Sequence, residues 1–396
     1  MGACMWVNSL RICSLGDLPI ILHNYTYTSA ASELFAKYPC RLHLTRPKGG
    51  GNSANHIDED EGQHKPSVPK ALTCYVLGYG GGLISGDGIE MNIHVKENAK
   101  LVITSQSTSK AFKAIPGRDA TVVKTRARVA RGGLLFLVPQ PMQCFGQSVL
   151  SQETEVLLDY CGVGSGDDTD TDTNLNAVSK GKGCDPSLLL VDWYTGGREN
   201  LDGGLWQLSS YHTKTSVSYR NKQGNEVESD DYDDFRHDDD CGRKCVFHDA
   251  TRLSGGEDLK RHMRGFNIVA MVVLLGPKVE KVASEFMKKY SSRRIYDDDG
   301  NGENFESNAS KTMDFNKGDG LNRMHEGLLV SCGRFTTCAE GNNQSGVVLR
   351  LAASTLEVAG KFFCYNKCLS ALVRVPSGIL SYVNKMKMCM EQFPNL

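Results

Sequence analysis

The sequence predicts a mostly β protein with two helices in its C-terminal half. Short apolar segments recur along the chain, and glycines or polar turns separate them, which is typical of all-β architectures. Between Ile89 and Val95 every second residue is apolar, the period expected of a half-buried strand. Residues 121–129 repeat this alternation, with basic side chains on one face and mainly apolar ones on the other. These observations favour sheets over helical bundles.

The strand-like segments begin about seventy residues into the chain and continue almost to its end. In order, they are Leu72 to Tyr79, Ile89 to Val95, Leu101 to Gln106, Thr121 to Val129, Leu134 to Val138, Val149 to Leu158, Leu188 to Tyr194, Trp206 to Tyr219, Val246 to Leu253, Ile268 to Leu275, Leu328 to Phe335 and Val347 to Leu351.

The two predicted helices differ from these segments in their apolar period. Between Lys278 and Tyr290, apolar residues recur at helical spacing, and Pro277 stands where a helix start tolerates proline. A second helix-like stretch runs from Ser354 to about Val373. Two uses are open for these apolar faces: packing on the chain's own sheet, or binding a partner protein.

The composition indicates one folded unit, residues 1–396, interrupted by polar insertions. Of the 396 residues, 40% are hydrophobic and 23% are charged, which is typical of a globular protein. Segments 47–69, 162–186, 221–244 and 297–320 are too polar, and in part too acidic, to form a core, so we interpret them as flexible surface insertions.

Charge and cysteine usage limit the possible partners and the location. The net charge of -1 gives no general attraction to nucleic acid or membrane. The longest apolar runs, such as Asn267 to Gly276, are too short to span a bilayer. The fourteen cysteines are scattered, and no secretion signal accompanies them. We therefore expect reduced thiols and a cytoplasmic protein.

A glycine-rich loop at residues 78–88 is the densest local signal. One interpretation is a ligand- or nucleotide-binding β protein that cradles a phosphate with these glycines. However, no Gly-Lys-Ser/Thr follows, and the next segment alternates like a strand, whereas a dinucleotide fingerprint leads into a helix. The other interpretation is a tight turn capped by an aspartate.

Two further clusters suggest a regulatory zinc- or calcium-binding protein. Cys241-x3-Cys245-x2-His248 has metal-like spacing and needs a second pair, for which Cys364-x3-Cys368 is available. Asp297-x-Asp299-x-Asn301-Gly302 begins like a calcium-binding loop, but its twelfth position is Asn308 instead of the bidentate glutamate. Ordinary thiols and an acidic insertion explain both clusters more simply.

Four ordered blocks resemble the urease accessory protein D family, also called UreH in some bacteria. The blocks are Gly80-Gly81-Gly82-Leu83-Ile84-Ser85-Gly86-Asp87; Leu101-Val102-Ile103-Thr104-Ser105-Gln106-Ser107-Thr108-Ser109-Lys110-Ala111-Phe112-Lys113; Gly133-Leu134-Leu135-Phe136-Leu137-Val138-Pro139-Gln140-Pro141; and Val191-Asp192-Trp193-Tyr194-Thr195-Gly196-Gly197-Arg198. The chain departs from the family pattern at Ser105, where a second threonine is usual, and at Gly203 to Trp206, which lacks a glutamate.

The resemblance implies a distorted β-helix-like or stacked-sheet fold and a protein that is not an enzyme. It implies a scaffold that binds accessory protein F, the GTPase accessory protein G through F, and apo-urease. Neither nucleic acid nor membrane is an implied partner. The family is expected to hold no permanent cofactor and to assist nickel in transit, through an internal water-filled passage, toward the urease active site.

The resemblance also implies roles for individual residues. Asp87, Ser109 and Asp192 match positions expected to line the nickel passage, and the two aspartates would contact nickel transiently; the alternative is that both aspartates cap turns. Lys110 and Arg198 are expected to pair with these carboxylates. The positions expected to shape the motifs are Gly80, Gly81, Gly82, Gly86, Thr104, Gln106 and Gly197.

Overall fold

The computed structural model describes most of the strand-rich chain. The described residues are 4–14, 29–37, 40–45, 71–78, 80–160, 185–198, 204–221, 243–290, 327–339 and 342–365. Most of the predicted insertions, and the C-terminal part of the second predicted helix, lie outside these residues.

Seventeen strands and three helices make up the described part of the chain. The strands are β1 (Cys4–Ser14), β2 (Ser29–Phe35), β3 (Cys40–Thr45), β4 (Leu72–Gly78), β5 (Asp87–Val95), β6 (Lys100–Ser105), β7 (Ser109–Ala111), β8 (Thr121–Val129), β9 (Leu134–Leu137), β10 (Met142–Cys144), β11 (Val149–Tyr160), β12 (Ser187–Thr195), β13 (Ser210–Asn221), β14 (Arg243–Ser254), β15 (Ile268–Leu275), β16 (Leu328–Ala339) and β17 (Asn342–Ala353). The helices are α1 (Glu257–His262), α2 (Glu280–Tyr290) and α3 (Leu356–Tyr365).

The strands form two stacked sheets that the chain visits alternately. Sheet A has the order β14-β13-β11-β8-β5-β1-β2, and sheet B has the order β16-β17-β15-β12-β9-β6-β4-β3, with β7 and β10 attached to its side. From β4 to β13, successive long strands alternate between B and A. Each new strand pairs in parallel with the previous strand of its own sheet. This path confirms the predicted β-helix-like, stacked-sheet architecture.

Antiparallel strands complete both sheets. At the C-terminal edge, β14 pairs with β13, while β15 and β17 extend sheet B beyond β12. At the other edge, β1 pairs in parallel with β5, and β2 and β3 form the outermost strands. Strands outside the alternating β4–β13 path therefore form the edges of both sheets.

Two of the three apolar clusters among the described residues lie on opposite faces of sheet B, and the third surrounds Trp206 and Tyr211. Between the sheets, alternate side chains such as Ile93, Val129 and Leu158 pack together. On the outer face of sheet B, α2 and α3 cover a second cluster in which Phe286 and Phe362 are completely buried. Burial on both faces explains why β12 and β15 are almost continuously apolar. The two helix faces therefore pack on the chain's own sheet.

Most sequence-predicted strands are confirmed, but several boundaries are wrong. The strand predicted from Trp206 begins at Ser210, because Trp206 has a φ of 65° and lies in a turn. Asn221 ends β13 and Arg243 begins β14, so these two strands include the ends of the segment interpreted as an insertion at 221–244. Strands β1, β2, β3, β7 and β10 and helix α1 were not predicted.

None of the helices in the described part of the chain is both long enough and apolar enough to cross a membrane. The cysteines that the structure describes as free thiols are Cys40, Cys74, Cys144, Cys245 and Cys332.

Candidate functional site

A cavity of about 180 Å³ lies between the two sheets. Its walls come from strands of both sheets and from the glycine-rich loop. The cavity is large enough for several water molecules, and it has the polar groups that ordered water requires. The polar residues that line it are Thr104, Ser105, Ser107, Thr108, Ser109, Lys110, Thr125, Gln140, Gln152, Thr154 and Asp192.

Asp192 is the one carboxylate among the described residues that line the cavity. Its Oδ1 accepts a hydrogen bond from Gln152 Nε2 at 3.0 Å. Its Oδ2 accepts from the hydroxyls of Thr213 at 2.8 Å and Thr215 at 3.4 Å. All three donors are neutral. An ionised carboxylate accepts about four hydrogen bonds, so capacity remains for a water or cation in the cavity.

The electrostatic environment makes Asp192 receptive to positive charge. Burial raises the pKa of Asp192, and the nearby Asp249 carboxylate raises it further, while the hydrogen bonds from Thr213, Thr215 and Gln152 act in the opposite direction. Ionisation at this place is costly because solvent is excluded. A cation that enters the cavity would offset that cost by supplying the missing charge.

The register of β12 explains why Asp192 faces the cavity. Side chains of this strand alternate between the two core layers: Val191 and Trp193 pack in the helix-covered layer, whereas Leu190 belongs to the core between the sheets. Asp192 is two residues after Leu190, so its side chain points to the same face of the strand and lies between the sheets. Sequence alone predicts the alternation but not which face meets which layer.

Ser109, which was predicted to line the passage, and Lys110, which was predicted to pair with its carboxylates, also line the cavity. They belong to the short strand β7, which pairs with β10. The backbone carbonyl of Lys110 accepts a hydrogen bond from Leu83 N at 2.7 Å, which fixes the strand against the glycine-rich loop. The structure thus brings Ser109, Lys110 and Asp192 together around one cavity.

Thr104 and Gln106, from the second block, have different surroundings. Thr104 is buried on the same face of β6 as Val102, away from the space between the sheets, and its Oγ1 makes no hydrogen bond to any described residue. Gln106 is exposed, and its backbone N–H donates to Val76 O at 3.2 Å.

Asp87 caps the turn at the end of the glycine-rich loop and is absent from the cavity wall described above. Its Oδ2 accepts a hydrogen bond from Ile84 N at 2.9 Å, and its own N–H donates to Ile84 O at 3.0 Å. This is the turn-capping interpretation that the sequence left open. The passage role expected for Asp87 stays a prediction. After the loop the chain continues as strand β5, without the helix start of a dinucleotide site.

Glycines give the loop its shape for two separate reasons. Gly80, Gly81 and Gly86 have φ between 75° and 86°, a conformation that L side chains rarely adopt. Gly82 instead leaves room for its neighbours, since a Cβ there would lie 2.5 Å from the Phe112 ring and 2.9 Å from Lys110 O.

Gly82→Ala should lower the free energy of unfolding by about 2 kcal/mol, because overpacking forces ring and backbone to move. Gly81→Ala is the matched control: no atom lies within 4 Å of its Cβ, so only the cost of its φ remains, about 1 kcal/mol. Urea denaturation of both variants measures the difference. Equal losses would contradict the packing argument.

The fourth block forms a tight junction at the end of β12. A Cβ on Gly196 would lie 2.5 Å from the Trp206 indole, and one on Gly197 would lie 2.7 Å from Cys144 O. Gly197 also has a φ of 99°. The guanidinium carbon of Arg198 lies 4.1 Å from the centroid of the Phe145 ring, in a cation–π contact. This junction packs one end of the cavity region.

The sequence analysis missed the partners of Asp192. Gln152, Thr213 and Thr215 lie on alternate positions of β11 and β13, where the remaining core positions, such as Val217, are apolar. These polar residues occupy the alternate positions that are apolar in the rest of the strand, and this was the signal available in the sequence. They indicate that the strand faces a polar interior over part of its length.

The other metal-like clusters do not assemble within the described residues, where no group of three or more His, Cys, Asp or Glu side chains is arranged to hold a metal ion. Cys245 is exposed on β14, and its Sγ contacts Phe247 O at 3.5 Å. Cys241, Cys368 and the calcium-loop-like segment Asp297 to Asn308 lie outside the described residues.

Comparison with known proteins gives one consistent group. A family model described as UreD urease accessory protein matches residues 23–163. The chain is 27% identical to an uncharacterized urease accessory protein ureD-like of Schizosaccharomyces pombe, over 66% of this chain and 71% of that protein. It is 25% identical to urease accessory protein D of Oryza sativa subsp. indica, over 85% and 87% of the two chains. The corresponding protein of Arabidopsis thaliana is 23% identical, over 84% and 89%.

Proposed function

We propose, from the premise that this chain belongs to the UreD urease accessory protein family, that it assists the delivery of nickel into apo-urease. Family membership makes the protein a non-catalytic accessory factor with a role in urease maturation. The finer proposal is that nickel travels through the cavity between the sheets, as cargo and not as a resident cofactor. The single observation that carries it is the carboxylate of Asp192 in the wall of that cavity.

The chemistry of the wall supports transit better than storage. Asp192 supplies one carboxylate, and Ser109, Thr125 and Thr154 supply neutral hydroxyl oxygens. Nickel binds tightly to sites with several nitrogen, thiolate or carboxylate ligands. A wall with one carboxylate and several hydroxyls would hold the hydrated ion loosely and allow it to leave.

The partners form part of the same proposal. We propose that the chain binds accessory protein F, that the GTPase accessory protein G joins through F, and that this assembly docks on apo-urease in the cytoplasm. Because the apolar faces of α2 and α3 are buried on sheet B, F would have to contact another surface of this protein.

Deleting the gene should leave urease protein present but inactive and poor in nickel. Re-expression of the wild-type chain should restore both activity and nickel, measured by urea hydrolysis and by metal analysis of the purified urease. Fully active, nickel-loaded urease in the deletion strain would refute the proposal. Purification of the tagged chain with F and G tests the partner assignment separately.

A further inference from the structure

Two facing rows of residues cross the interior from the cavity to an edge of the molecule. In sheet A, Thr154 is in register with Thr215, which is in register with Asp249 of β14. The facing row in sheet B consists of register partners on β12, β15 and β17: Asp192, Met271 and Arg350. The sheet A row ends on the edge strand β14, whereas the sheet B row reaches β17 and continues to Ser331 on the edge strand β16.

An ion pair joins the two sheets near the outer ends of these rows. Arg350 Nη2 donates to Asp249 Oδ1. The Arg350 side chain is 58% exposed and that of Asp249 is 21% exposed, so the pair lies at the surface with Asp249 on its inner side. Asp249 is also near enough to Asp192 for its charge to act on that carboxylate and raise its pKa.

Aromatic side chains border this row on both sides along the strands. On one side, the rings of Phe247 and Phe335 meet across the edge with centroids 5.3 Å apart. On the other side, Tyr194 and Tyr211 pack with centroids 4.7 Å apart, and Tyr211 is completely buried. A cation moving from Asp192 toward this edge would thus meet the hydroxyl and carboxylate oxygens of the row, with the phenylalanine pair on one side and the tyrosine pair on the other.

We infer that the Arg350–Asp249 pair closes a lateral mouth of the passage, through which a divalent cation leaves or enters. The inference rests on the proposed function, since it gives the nickel passage a second opening. A divalent cation that reaches Asp249 competes with the guanidinium for the same carboxylate, and displacement of Arg350 then opens the edge. In the closed state, Arg350 supplies the positive charge that the Asp249 carboxylate needs.

Chemical labelling tests the mouth without any urease. Met271 is 7% exposed and lies in the row between Asp192 and Arg350. In full-length Met271→Cys protein, labelling of the new thiol by 2-aminoethyl methanethiosulfonate is followed by peptide mass spectrometry. Adding Arg350→Gln should speed this labelling at least about tenfold, because the closing group is lost.

Two controls separate opening of the mouth from general loosening of the fold. Arg334→Gln removes a neighbouring ion pair with Glu280, on the helix-covered side of sheet B, and should leave the labelling rate unchanged. The native buried thiol of Cys144 should stay unlabelled in every variant. Equal rates with and without Arg350, or simultaneous labelling of Cys144, would overturn the inference.

A second arm measures nickel. In the deletion strain, Asp249→Asn should lower the nickel content of urease at least about fivefold while the accessory complex still purifies, because the cation loses the last carboxylate of the row. Failure of the wild-type chain to restore urease would refute the proposed function itself. Normal loading by Asp249→Asn beside a functional wild type would overturn only the lateral mouth.

Discussion

Asp192→Asn should remove most urease activation and leave the protein folded. The substitution keeps the size of the side chain, and its amide can still accept from Thr213 or Thr215 and exchange a hydrogen bond with Gln152. It removes the only carboxylate among the described residues of the cavity wall, so we expect at least about a tenfold loss of nickel transfer. The measurement is urease activity and nickel content in the deletion strain that expresses the variant.

The difference in stability between this variant and the wild type should change with pH in a defined direction. Burial raises the pKa of Asp192 in the folded wild type above its ordinary value of 3.8, so the protonated side chain favours folding. Its contribution to the stability of the wild type is complete below pH 3.8 and is lost as the pH rises through the folded pKa. The amide side chain of the variant does not titrate. The thermal stability of the variant relative to wild type should therefore increase between pH 4 and neutral pH.

A second buried aspartate provides the contrast. Asp159 accepts a hydrogen bond from Arg128 Nε at 3.0 Å, and both side chains are buried. Asp159→Asn leaves that guanidinium without its carboxylate and should lower stability at neutral pH by about 3 kcal/mol. If Asp192→Asn is destabilising to the same extent, or if it activates urease normally, the assignment of Asp192 to a cation passage is wrong.

Trp206→Ala should have the largest effect on stability, a loss of about 4 kcal/mol in the free energy of unfolding. The side chain is 1% exposed and fills the space that Gly196 leaves open. Its Nε1 donates to Phe266 O at 2.9 Å, its backbone N–H donates to Gly196 O, and its carbonyl accepts from Gly256 N. One residue thus joins the end of β12 to the chain on both sides of α1.

Trp206→Phe separates packing from hydrogen bonding. The phenyl ring fills part of the same space but leaves Phe266 O without its donor, so we expect a loss of about 2 kcal/mol. Guanidinium denaturation followed by circular dichroism measures both variants. A loss below about 1 kcal/mol for Trp206→Ala would contradict the central position given to this side chain.

The long strands of the alternating β4–β13 path were predictable because their signals are local. The alternation between Ile89 and Val95 needs only neighbouring residues, and it appears as strand β5. Pairing between distant segments is not local: β1 pairs with β5 although more than seventy residues separate them, and nothing in the pattern of either segment specifies the other. Likewise, the positive φ of Trp206 depends on the pocket that receives its ring.

The two aspartates of the candidate site also have surroundings that local sequence patterns do not predict. Asp87 and Asp192 look alike in the sequence, as acidic residues near glycines, and the resemblance assigns both to the passage. In the structure, Asp87 accepts from Ile84 three residues away, whereas Asp192 accepts from strands of the opposite sheet. The difference depends on how the two sheets face each other, which strand periodicity does not contain.

The alternating path between the sheets has a consequence for biosynthesis. Between β4 and β13, each long strand pairs with the strand of the same sheet that precedes it in the chain. The protein can therefore assemble strand by strand as it leaves the ribosome. The edge that carries Asp249 and Arg350 forms after these strands, because β14 and β17 both follow β13 in the chain. A nascent chain therefore has an unsealed interior, and only the finished protein encloses the residues around Asp192.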